Sequence, residues 1–426
     1  MPFVGLDLHK KIVEAVILDD TGNILWRGSF PATRAALEDF ARSRLSPNHH
    51  LALEATTNTW AVVALLKPYV ARVVVSNPLR TRAIAEAKIK TDRVDALVLA
   101  QLLRSGFLPE VWCPDDDTRR RRALSTERAN LVADRTRLKN RIHAVLHQRL
   151  IEAPAGDLFQ PRSRAWLASL ELDPEGRQTL DRHLRQLARL EQELAALTDD
   201  LAREAHADPR VRLLMTLPGV DFPVAQTLLA ALGDVNRFRD GNRAASYLGL
   251  VPSTHQSAAH CYHGPITKQG NSHARWMMVQ AAQALARHPG PLGVFFRRIA
   301  RKKNRNVAVV ATARKLVSIA WHMLHSNQPY RYAQPATLEA KFSRLRIRAT
   351  GRRKKTGSGK GAPRPAGYGS GKRTRAVPSL DQVCAEAELP APDATATGEQ
   401  RMLLQTGTAA FADSIQQPKR VARRSA

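Results

Sequence analysis

Four acidic residues near the start of the chain have the types and spacing of a metal site. Asp7 interrupts an otherwise apolar run at residues 3–8, and Glu54 ends a second apolar run. Asp92 and Asp95 are three positions apart, a spacing that places both on one face of a helix. Carboxylates that converge repel one another unless cations bind between them, and hard oxygen ligands suit Mg²⁺ or Mn²⁺. Two such ions can activate a nucleophile and stabilise a leaving oxygen in phosphodiester chemistry.

Each acid also has a simpler interpretation. Asp92 and Asp95 alone would be exposed helix residues, and Glu54 alone could cap the end of a strand. Asp7 is harder to explain in this way, because burying a lone carboxylate is costly. An acid also follows the first strand of actin-like ATPases and sugar kinases. Those folds want small or hydroxyl residues where this chain has residues 9–11 (HKK), and the sequence has no second glycine-rich phosphate loop. The metal site is therefore favoured.

The elements that must position these acids are predicted by the pattern of residues 1–115. Short apolar runs alternate there with stretches of helical spacing. The predicted strands cover 4–8, 12–18, 24–30, 50–54 and 71–75, and the predicted helices cover 33–44, 59–66 and 78–103. In this βββαβαβα order, the first strand and the adjacent fourth strand can face the last helix. The four carboxylates would then converge.

Three further regions follow this α/β segment, so the predicted fold class is α/β plus all-α. Residues 116–205 carry leucines at helical spacing with proline breaks between two long helices, which predicts an antiparallel helical or coiled-coil pair. Residues 206–335 are predicted to form a mainly helical region. Residues 336–426 are rich in Arg, Lys, Gly, Ser and Pro, a composition that predicts a disordered basic tail.

The charge of the chain predicts a polyanionic partner. There are 66 Lys and Arg residues against 38 Asp and Glu, a formal charge of +28, which favours nucleic acid. A membrane surface is a weaker candidate, because the sequence has no run of 18 apolar residues and no signal pattern. A cytoplasmic location is therefore predicted. The basic residues of the first long helix, including those at 119–122, are favoured as a solvated face rather than a nucleic-acid contact.

Two stretches of the third region are typical of phosphate contacts. Residues 214–220 (LMTLPGV) form a hydrophobic turn with glycine before a predicted helix, whose free N–H groups can receive a phosphate as in half of a helix-hairpin-helix element. A basic patch further along supplies candidate contacts to the nucleic-acid backbone. These candidates are Lys268, Arg275, Arg297 and Arg298.

Several motifs taken together resemble one family. Residues 5–10 (GLDLHK), 53–55 (LEA) and 90–96 (KTDRVDA) resemble the RuvC-like, RNase H-like amino-terminal domain of the DEDD transposases of the IS110 insertion-sequence family. The downstream motifs are similar to that family's carboxy-terminal transposase domain, and they are residues 217–220 (LPGV), 247–252 (YLGLVP) and 266–271 (ITKQGN). The resemblance spans about residues 3–330, with the motifs in the family's order.

The resemblance implies a site-specific DNA recombinase that moves its own element. It implies that the four acids bind Mg²⁺ and that a serine of the carboxy-terminal domain attacks DNA to form a covalent phosphoserine linkage. By position that serine is Ser257, with Ser253 as the neighbouring rival. The resemblance also implies DNA and a structured non-coding bridge RNA as partners, and homo-oligomers from dimers to tetramers.

The surroundings of Ser257 depart from the family pattern. Residues 258–259 are alanines where the family usually has glycine, which restricts the backbone beside the attacking hydroxyl. A serine needs activation to attack a phosphate, and the metals or His255, His260 or Lys268 could provide it.

A zinc site is the alternative interpretation of the same loop. His255, His260, Cys261 and His263 are all potential ligands, but their spacing fits no common zinc finger and a second ligand pair is missing. A histidine-rich loop that faces DNA or RNA is therefore favoured.

Three functions remain compatible with these motifs. The leading one is an RNA-guided transposase that uses serine and DEDD chemistry. A metal-dependent endonuclease of the junction-resolving type would need the four acids but not Ser257. A basic nucleic-acid-binding protein that has lost catalysis would need neither.

Overall fold

The fold was obtained as a computed structural model that describes residues 1–84, 92–257, 260–352 and 374–422. The chain divides into two compact units, residues 1–115 and 116–426. The first unit is a mixed α/β fold, and the second is mainly helical. This division between an α/β segment and a helical remainder agrees with the predicted fold class.

The first unit contains one six-stranded sheet. Its order is β3-β2-β1-β4-β5-β6, with β1, β4 and β5 parallel and the other neighbours antiparallel. The strands are β1 (Phe3–Leu8), β2 (Ile12–Leu18), β3 (Ile24–Pro31), β4 (His50–Glu54), β5 (Arg72–Ser76) and β6 (Glu110–Val111). The helices are α1 (Arg34–Arg44), α2 (Thr59–Leu66), α3 (Pro78–Ile84) and α4 (Asp92–Arg104). The predicted βββαβαβα order is confirmed, and the helix predicted over 78–103 corresponds to α3 and α4, with residues 85–91 outside the described part.

The central strand β1 packs against different helices on its two faces. One face carries Val4, Leu6 and Leu8, which are buried with side chains of α1 and α2. Side chains alternate along a strand, so Gly5 and Asp7 point to the other face. There α4 covers the sheet through Ala96 and Ala100. The alternation therefore turns Asp7 toward α4.

Gly5 allows α4 to lie directly on the sheet. A Cβ at this position would overlap the carbonyl oxygen of Ala96 and would lie 2.8 Å from the backbone nitrogen of Ala100. These are backbone atoms of a helix, which cannot rotate away. Gly5, two positions before Asp7 in the GLD motif, therefore determines how closely the helix carrying Asp92 and Asp95 approaches the strand.

Replacing Gly5 by alanine is expected to lower the free energy of unfolding by at least about 2 kcal/mol, because α4 must move off the sheet. Urea unfolding followed by circular dichroism measures the change. Gly398→Ala is the control, since a Cβ there meets nothing within 4 Å and the residue lies in a helix. Equal stability of the two variants would contradict the close packing of α4.

The second unit begins with a long antiparallel helical pair, as predicted. The pair is formed by α5 (Asp116–His147) and α7 (Pro174–Ala207), with α6 (Pro161–Ser169) between them. Arg120 at the start of α5 forms an ion pair with Glu204 at the end of α7, which fixes the antiparallel direction. Several basic residues of α5 pair with acids of the same helix, as Arg121 does with Asp117. Arg121 is nevertheless only 17% exposed, and Arg122 donates to the carbonyl oxygens of Ala230 and Ala231, so the solvated-face prediction is wrong for these two residues.

The next seven described helices share one hydrophobic core. They are α8 (Pro209–Met215), α9 (Phe222–Leu232), α10 (Gly241–Tyr247), α11 (Ser272–Gln283), α12 (Pro291–Lys302), α13 (Arg305–Ser326) and α14 (Pro335–Thr350). A hairpin of β7 (Pro252–Ser257) and β8 (His260–Ile266) connects α10 to α11. Within the described residues, α13 is the helix with the length and composition of a membrane span, but half of its apolar window is buried inside the fold. Such burial is typical of a core helix.

The prediction of a disordered tail over 336–426 is wrong for its described parts. Residues 374–422 form β9 (Thr374–Val377), α15 (Leu380–Glu386), α16 (Thr397–Gln405), α17 (Ala409–Gln416) and β10 (Lys419–Ala422). Leu380, Cys384 and Leu403 are buried in the same core as α8 to α13. Averaging the composition over the whole segment concealed these short apolar helices. The stretch richest in Arg, Lys and Gly, 353–373, lies outside the described residues.

Leu380 provides a direct test of this folded carboxy-terminal segment. Leu380→Ala is expected to lower the free energy of unfolding by about 2–5 kcal/mol, because the side chain is fully buried. Leu404→Ala is the matched control, since 72% of that side chain is exposed, and it should change stability by less than about 0.5 kcal/mol. Thermal unfolding of both variants measures the difference. A disordered tail would make the two substitutions equally harmless.

Candidate active site

Asp7 and Glu54 lie side by side on neighbouring parallel strands. In the register of β1 and β4, Leu6 pairs with Leu53, so the two acids are the next residues on each strand. Ala52 packs against Leu99 of α4, and Glu54 follows it by two positions on the same face. Asp7 has the same relation to Gly5. Both carboxylates therefore point to the α4 side of the sheet at the carboxyl ends of their strands.

The amino-terminal turn of α4 lies at this same end of the sheet. At the other end of the helix, Arg104 donates to the carbonyl oxygen of Asp20. Asp20 follows β2, whose last residue, Leu18, pairs with Phe3 at the start of β1. The helix therefore runs antiparallel to β1. Asp95 is half-buried in the first turn, and the backbone of Asp92 begins the helix, while its side chain lies outside the described set. The fold thus places all four positions at one end of the sheet.

Asp7 has two neighbours that the sequence interpretation did not use. The Nε2 atom of His9 lies 2.9 Å from a carboxylate oxygen of Asp7, whose side chain is only 13% exposed. Glu14 of β2 stands directly opposite Asp7 in the antiparallel register. The spacing of two between Asp7 and His9 was the available signal, but no role at the metal site was predicted for His9, which had only a place in the GLDLHK motif and a poor match to a phosphate loop.

The described acidic side chains have the oxygen atoms that a divalent cation prefers, but their positions do not complete a binding site. Carboxylates from β1, β4 and α4 share one end of the sheet, and oxygen donors are what Mg²⁺ and Mn²⁺ prefer. As placed, however, no three described His, Cys, Asp or Glu side chains form a group that could hold a metal ion. The side chain of Asp92 is not among them. The strand register and the direction of α4, which backbone hydrogen bonds and packing determine, nevertheless bring the four acidic positions to the same end of the sheet.

Ser257 ends strand β7 at the tip of the β7–β8 hairpin. Its backbone pairs with that of His260, and residues 258–259 lie outside the described part. The side chains of His255, Ser257 and His260 lie outside it as well. The rival Ser253 sits at the other end of the hairpin, where its hydroxyl donates to the carbonyl oxygen of Pro265 at 3.3 Å. The hairpin therefore separates the two serines, with Ser257 at the tip.

Two members of the alternative zinc cluster are described. The Sγ atom of Cys261 lies 3.9 Å from Nε2 of His263, and the other ring nitrogen of His263 lies 3.1 Å from the hydroxyl of Thr254. The first contact joins two residues of β8, and the second joins β8 to β7. All three residues are exposed. Among the described residues they belong to no group of three ligands.

The four candidate phosphate contacts have different surroundings. Arg275 donates to the carbonyl oxygens of Leu248 and Gln269, and burial lowers the pKa of its guanidinium. The remaining three candidates are exposed. Arg297 donates to the carbonyl oxygen of His288. These bonds give Arg275 and Arg297 structural roles in addition to any contact with phosphate.

Lys268 and Arg298 are the more accessible of the four candidates. Lys268 is exposed just after the hairpin and has a positive φ of 54°. The guanidinium of Arg298 lies 5.7 Å from the ring centroid of Phe295, on the exposed side of α12. Both side chains can therefore reach a nucleic-acid backbone that passes over this surface.

The turn that resembles half of a helix-hairpin-helix element joins α8 to α9. Gly219 has a φ of 77°, and a Cβ there would overlap the carbonyl oxygen of Ala281. Asp221 caps α9 by accepting from the N–H of Phe222, and residue 223 is a proline without an N–H. Fewer N–H groups than predicted are therefore available to a phosphate at this end of α9, because Asp221 accepts from one and Pro223 has none.

Two transposase family models match separate parts of the chain. A transposase model of the IS110 DEDD type matches residues 4–150, and a model described as "Transposase IS116/IS110/IS902 family" matches residues 211–295. The first range includes the four acids, and the second includes Ser257 and the hairpin.

Curated relatives are similar over most of the chain. A "Probable family 20 transposase" of Pseudomonas aeruginosa is 25% identical over 77% of this chain and 98% of its own length. The "Transposase for insertion sequence element IS1111A" of Coxiella burnetii is 26% identical over 57% of this chain and 68% of its own length. A "Pilin gene-inverting protein" of Moraxella bovis is 27% identical over 66% of this chain and 81% of its own length.

Proposed function

Because the chain belongs to the IS110 family of insertion-sequence transposases, which are enzymes of DNA transposition, we propose that it cuts and rejoins DNA through a serine and four metal-binding acids. The observation that carries this proposal is the common position of Asp7, Glu54, Asp92 and Asp95 at one end of the sheet. A structural role alone does not explain carboxylates from three separate elements at one place, since their mutual repulsion costs stability.

We assign the first unit to the RNase H-like, RuvC-like class. Three antiparallel strands lead into two parallel strands in the order β3-β2-β1-β4-β5, and an acid lies on β1, another on β4 and two on α4. This arrangement supports the assignment, because the acids of such a domain must come from the central strands and a helix packed across them. The motif resemblance and the match over residues 4–150 support it independently.

Asp7 and Glu54 would hold a divalent cation together with the acids of α4, and Mg²⁺ or Mn²⁺ suits these oxygen donors. When bound, such ions supply Lewis acidity that stabilises charge on the attacking and leaving oxygens of a phosphodiester. His9 contacts Asp7 and can orient that carboxylate toward the end of the sheet. The half-buried position of Asp7 limits the water that competes with ligand binding.

We assign Ser257 as the nucleophile. Its hydroxyl oxygen would form a bond to phosphorus while the bond from phosphorus to one neighbouring nucleotide oxygen breaks and that oxygen takes a proton. The resulting phosphoserine ester keeps the bond energy, so a DNA hydroxyl can later attack it and release the serine. Support comes from the position of Ser257 at the tip of an exposed hairpin, whereas Ser253 bonds to its own hairpin.

DNA and a structured bridge RNA are the proposed partners, and self-association into dimers and tetramers would bring the donor and target DNA together. The formal charge of +28 supports a nucleic-acid partner. Lys268 and Arg298 are candidate contacts to the phosphate backbone because both are exposed near the hairpin or on α12.

The experiment that tests this function combines the full-length protein, DNA that carries the element ends, Mg²⁺ and RNA transcribed from the flanking non-coding DNA. A denaturing gel before and after protease digestion should show protein-linked DNA that requires both Mg²⁺ and the RNA. Cleaved DNA without attached protein would instead support the junction-resolving endonuclease. Binding without cleavage would support the inactive nucleic-acid-binding protein.

A further inference from the structure

A small cavity lies in the second unit where three segments meet. Its volume is about 130 Å³, room for roughly four water molecules at about 30 Å³ each. The turn after α8 contributes Thr216 and Gly219, the segment after α11 contributes His288, and the first turns of α14 contribute Gln334 and Lys341. The proposed transposition chemistry uses none of these side chains.

Lys341 places a cation at the wall of this cavity. Only 6% of the side chain is exposed, and its ammonium group donates to the carbonyl oxygens of Met215 and Leu217, both at 2.7 Å. An ammonium has three N–H donors, so one remains. Within the described part of the chain no carboxylate forms an ion pair with Lys341, although a buried cation normally requires one, and the charge of Asp221 raises its pKa only from a longer distance. Burial lowers its pKa to about 8, which leaves it mainly charged at neutral pH.

His288 adds a buried N–H donor. The residue is 7% exposed, and its Nδ1 atom accepts from the N–H of Gly290 at 3.1 Å. The proton of the neutral ring must therefore be on Nε2. That atom is buried and has no hydrogen-bond partner among the described residues. Burial, with the nearby charges of Lys341 and Arg297, lowers the pKa of His288 to about 4, so the ring is a neutral donor at pH 7.

The first turn of α14 adds a third source of positive potential. This helix has 16 residues, and its N-cap residue, Gln334, makes no side-chain capping hydrogen bond, although Pro335 has no N–H and the N–H of Thr337 donates to the carbonyl oxygen of Gln334. The amino-terminal end of a helix carries about half a positive charge and attracts anions. The cavity therefore combines a cation, a buried N–H donor and a helix amino terminus.

We propose that this cavity binds a tetrahedral oxyanion, a phosphate group, through the Nε2–H of His288, the ammonium of Lys341 and the amino terminus of α14. The phosphate is either inorganic phosphate or a phosphate of a nucleic-acid backbone. A neutral water molecule would satisfy His288 but would add no charge opposite to that of Lys341, whose pKa Asp221 raises only from beyond ion-pair distance while it pairs with Arg344. The inference goes beyond the proposed recombination reaction and does not depend on it.

The test is a titration of the full-length protein with inorganic phosphate, compared with chloride at equal ionic strength. The thermal unfolding midpoint should rise by at least about 2 °C more in phosphate than in chloride. His288→Phe keeps a ring but removes the donor, and it should abolish the phosphate-specific rise. His322→Phe is the matched control, because His322 is exposed on α13 away from this cavity, and it should keep the full rise.

Equal rises of the wild type in phosphate and chloride would overturn the proposal, and so would a full phosphate-specific rise in His288→Phe. If that variant does not fold, ³¹P line broadening of phosphate by the wild-type protein decides, since absence of broadening overturns the site. A short DNA duplex added to the phosphate complex identifies the source. Release of bound phosphate would show that a backbone phosphate enters the cavity, whereas retention would identify free phosphate as the ligand.

Discussion

Asp7→Asn is expected to reduce DNA cleavage and recombination by at least about a thousand-fold while leaving the protein folded. The amide has the same size as the carboxylate but lacks the charge that a divalent cation needs. Asp7 also lies beside Glu54 and opposite Glu14, so removing its charge relieves repulsion in the protein alone. We therefore expect the unfolding temperature to stay the same or to rise, which separates loss of function from loss of structure.

The matched control for this substitution is Asp39→Asn. Asp39 is exposed on α1, which packs on the opposite face of the sheet from α4. Excision of a plasmid-borne element and cleavage of end DNA should both be unchanged in this variant. Activity of Asp7→Asn close to that of the wild type would refute the metal site. Adding Mn²⁺ at increasing concentration provides a second measurement, because a weakened carboxylate site should need more metal for its residual activity.

The architecture of the first unit could be predicted because its signals are local. Each strand is a short apolar run between polar turns, and α1 begins after Thr33, whose hydroxyl accepts from the N–H of Ala36. The common face of Asp7 and Glu54 follows from the alternation of side chains, and their common end follows from their places near the carboxyl ends of two parallel strands. The contact between His9 and Asp7 was missed, because a residue beyond the end of a strand has no fixed side-chain direction.

The environment of the basic residues could not be predicted in the same way. Arg275 and Arg297 look like phosphate contacts in sequence, yet both donate to backbone carbonyl oxygens from neighbouring segments. Lys341 lies in the segment that was predicted to be disordered, but it is buried against the end of α8. These partners are up to 126 positions away along the chain, so the surrounding sequence gives no sign of them.

The average composition of the carboxy-terminal segment predicted disorder, whereas its described parts are folded. The packing of Leu380 and Ile415 into the core of the second unit depends on a few apolar residues, which contribute little to an average dominated by Arg, Lys and Gly. Burial of such residues depends on a surface formed by α8 to α13, far earlier in the chain. The sequence pattern of a short helix is too weak to predict that surface.

Ser257→Ala is expected to abolish covalent attachment of the protein to DNA, with recombination falling by at least about a thousand-fold. Loss of the hydroxyl removes the atom that would bond to phosphorus, while the strands of the hairpin keep their backbone pairing. Denaturing gels of end DNA labelled on each strand measure the attachment. DNA binding, measured by gel shift at fixed salt, should change little because the serine carries no charge.

Ser253→Ala is the matched control, because it removes the same hydroxyl from the same strand. Its hydroxyl donates only to a carbonyl oxygen of the hairpin at 3.3 Å, so the variant should keep covalent attachment and lose at most about 1 kcal/mol of stability. Attachment lost in Ser253→Ala but kept in Ser257→Ala would reassign the nucleophile to Ser253. Attachment and recombination kept in both variants would rule out serine chemistry in this hairpin and leave the four acids to act by metal-dependent hydrolysis. Because Asp7→Asn should be inactive under either mechanism, comparing the three variants separates the nucleophile from the metal site.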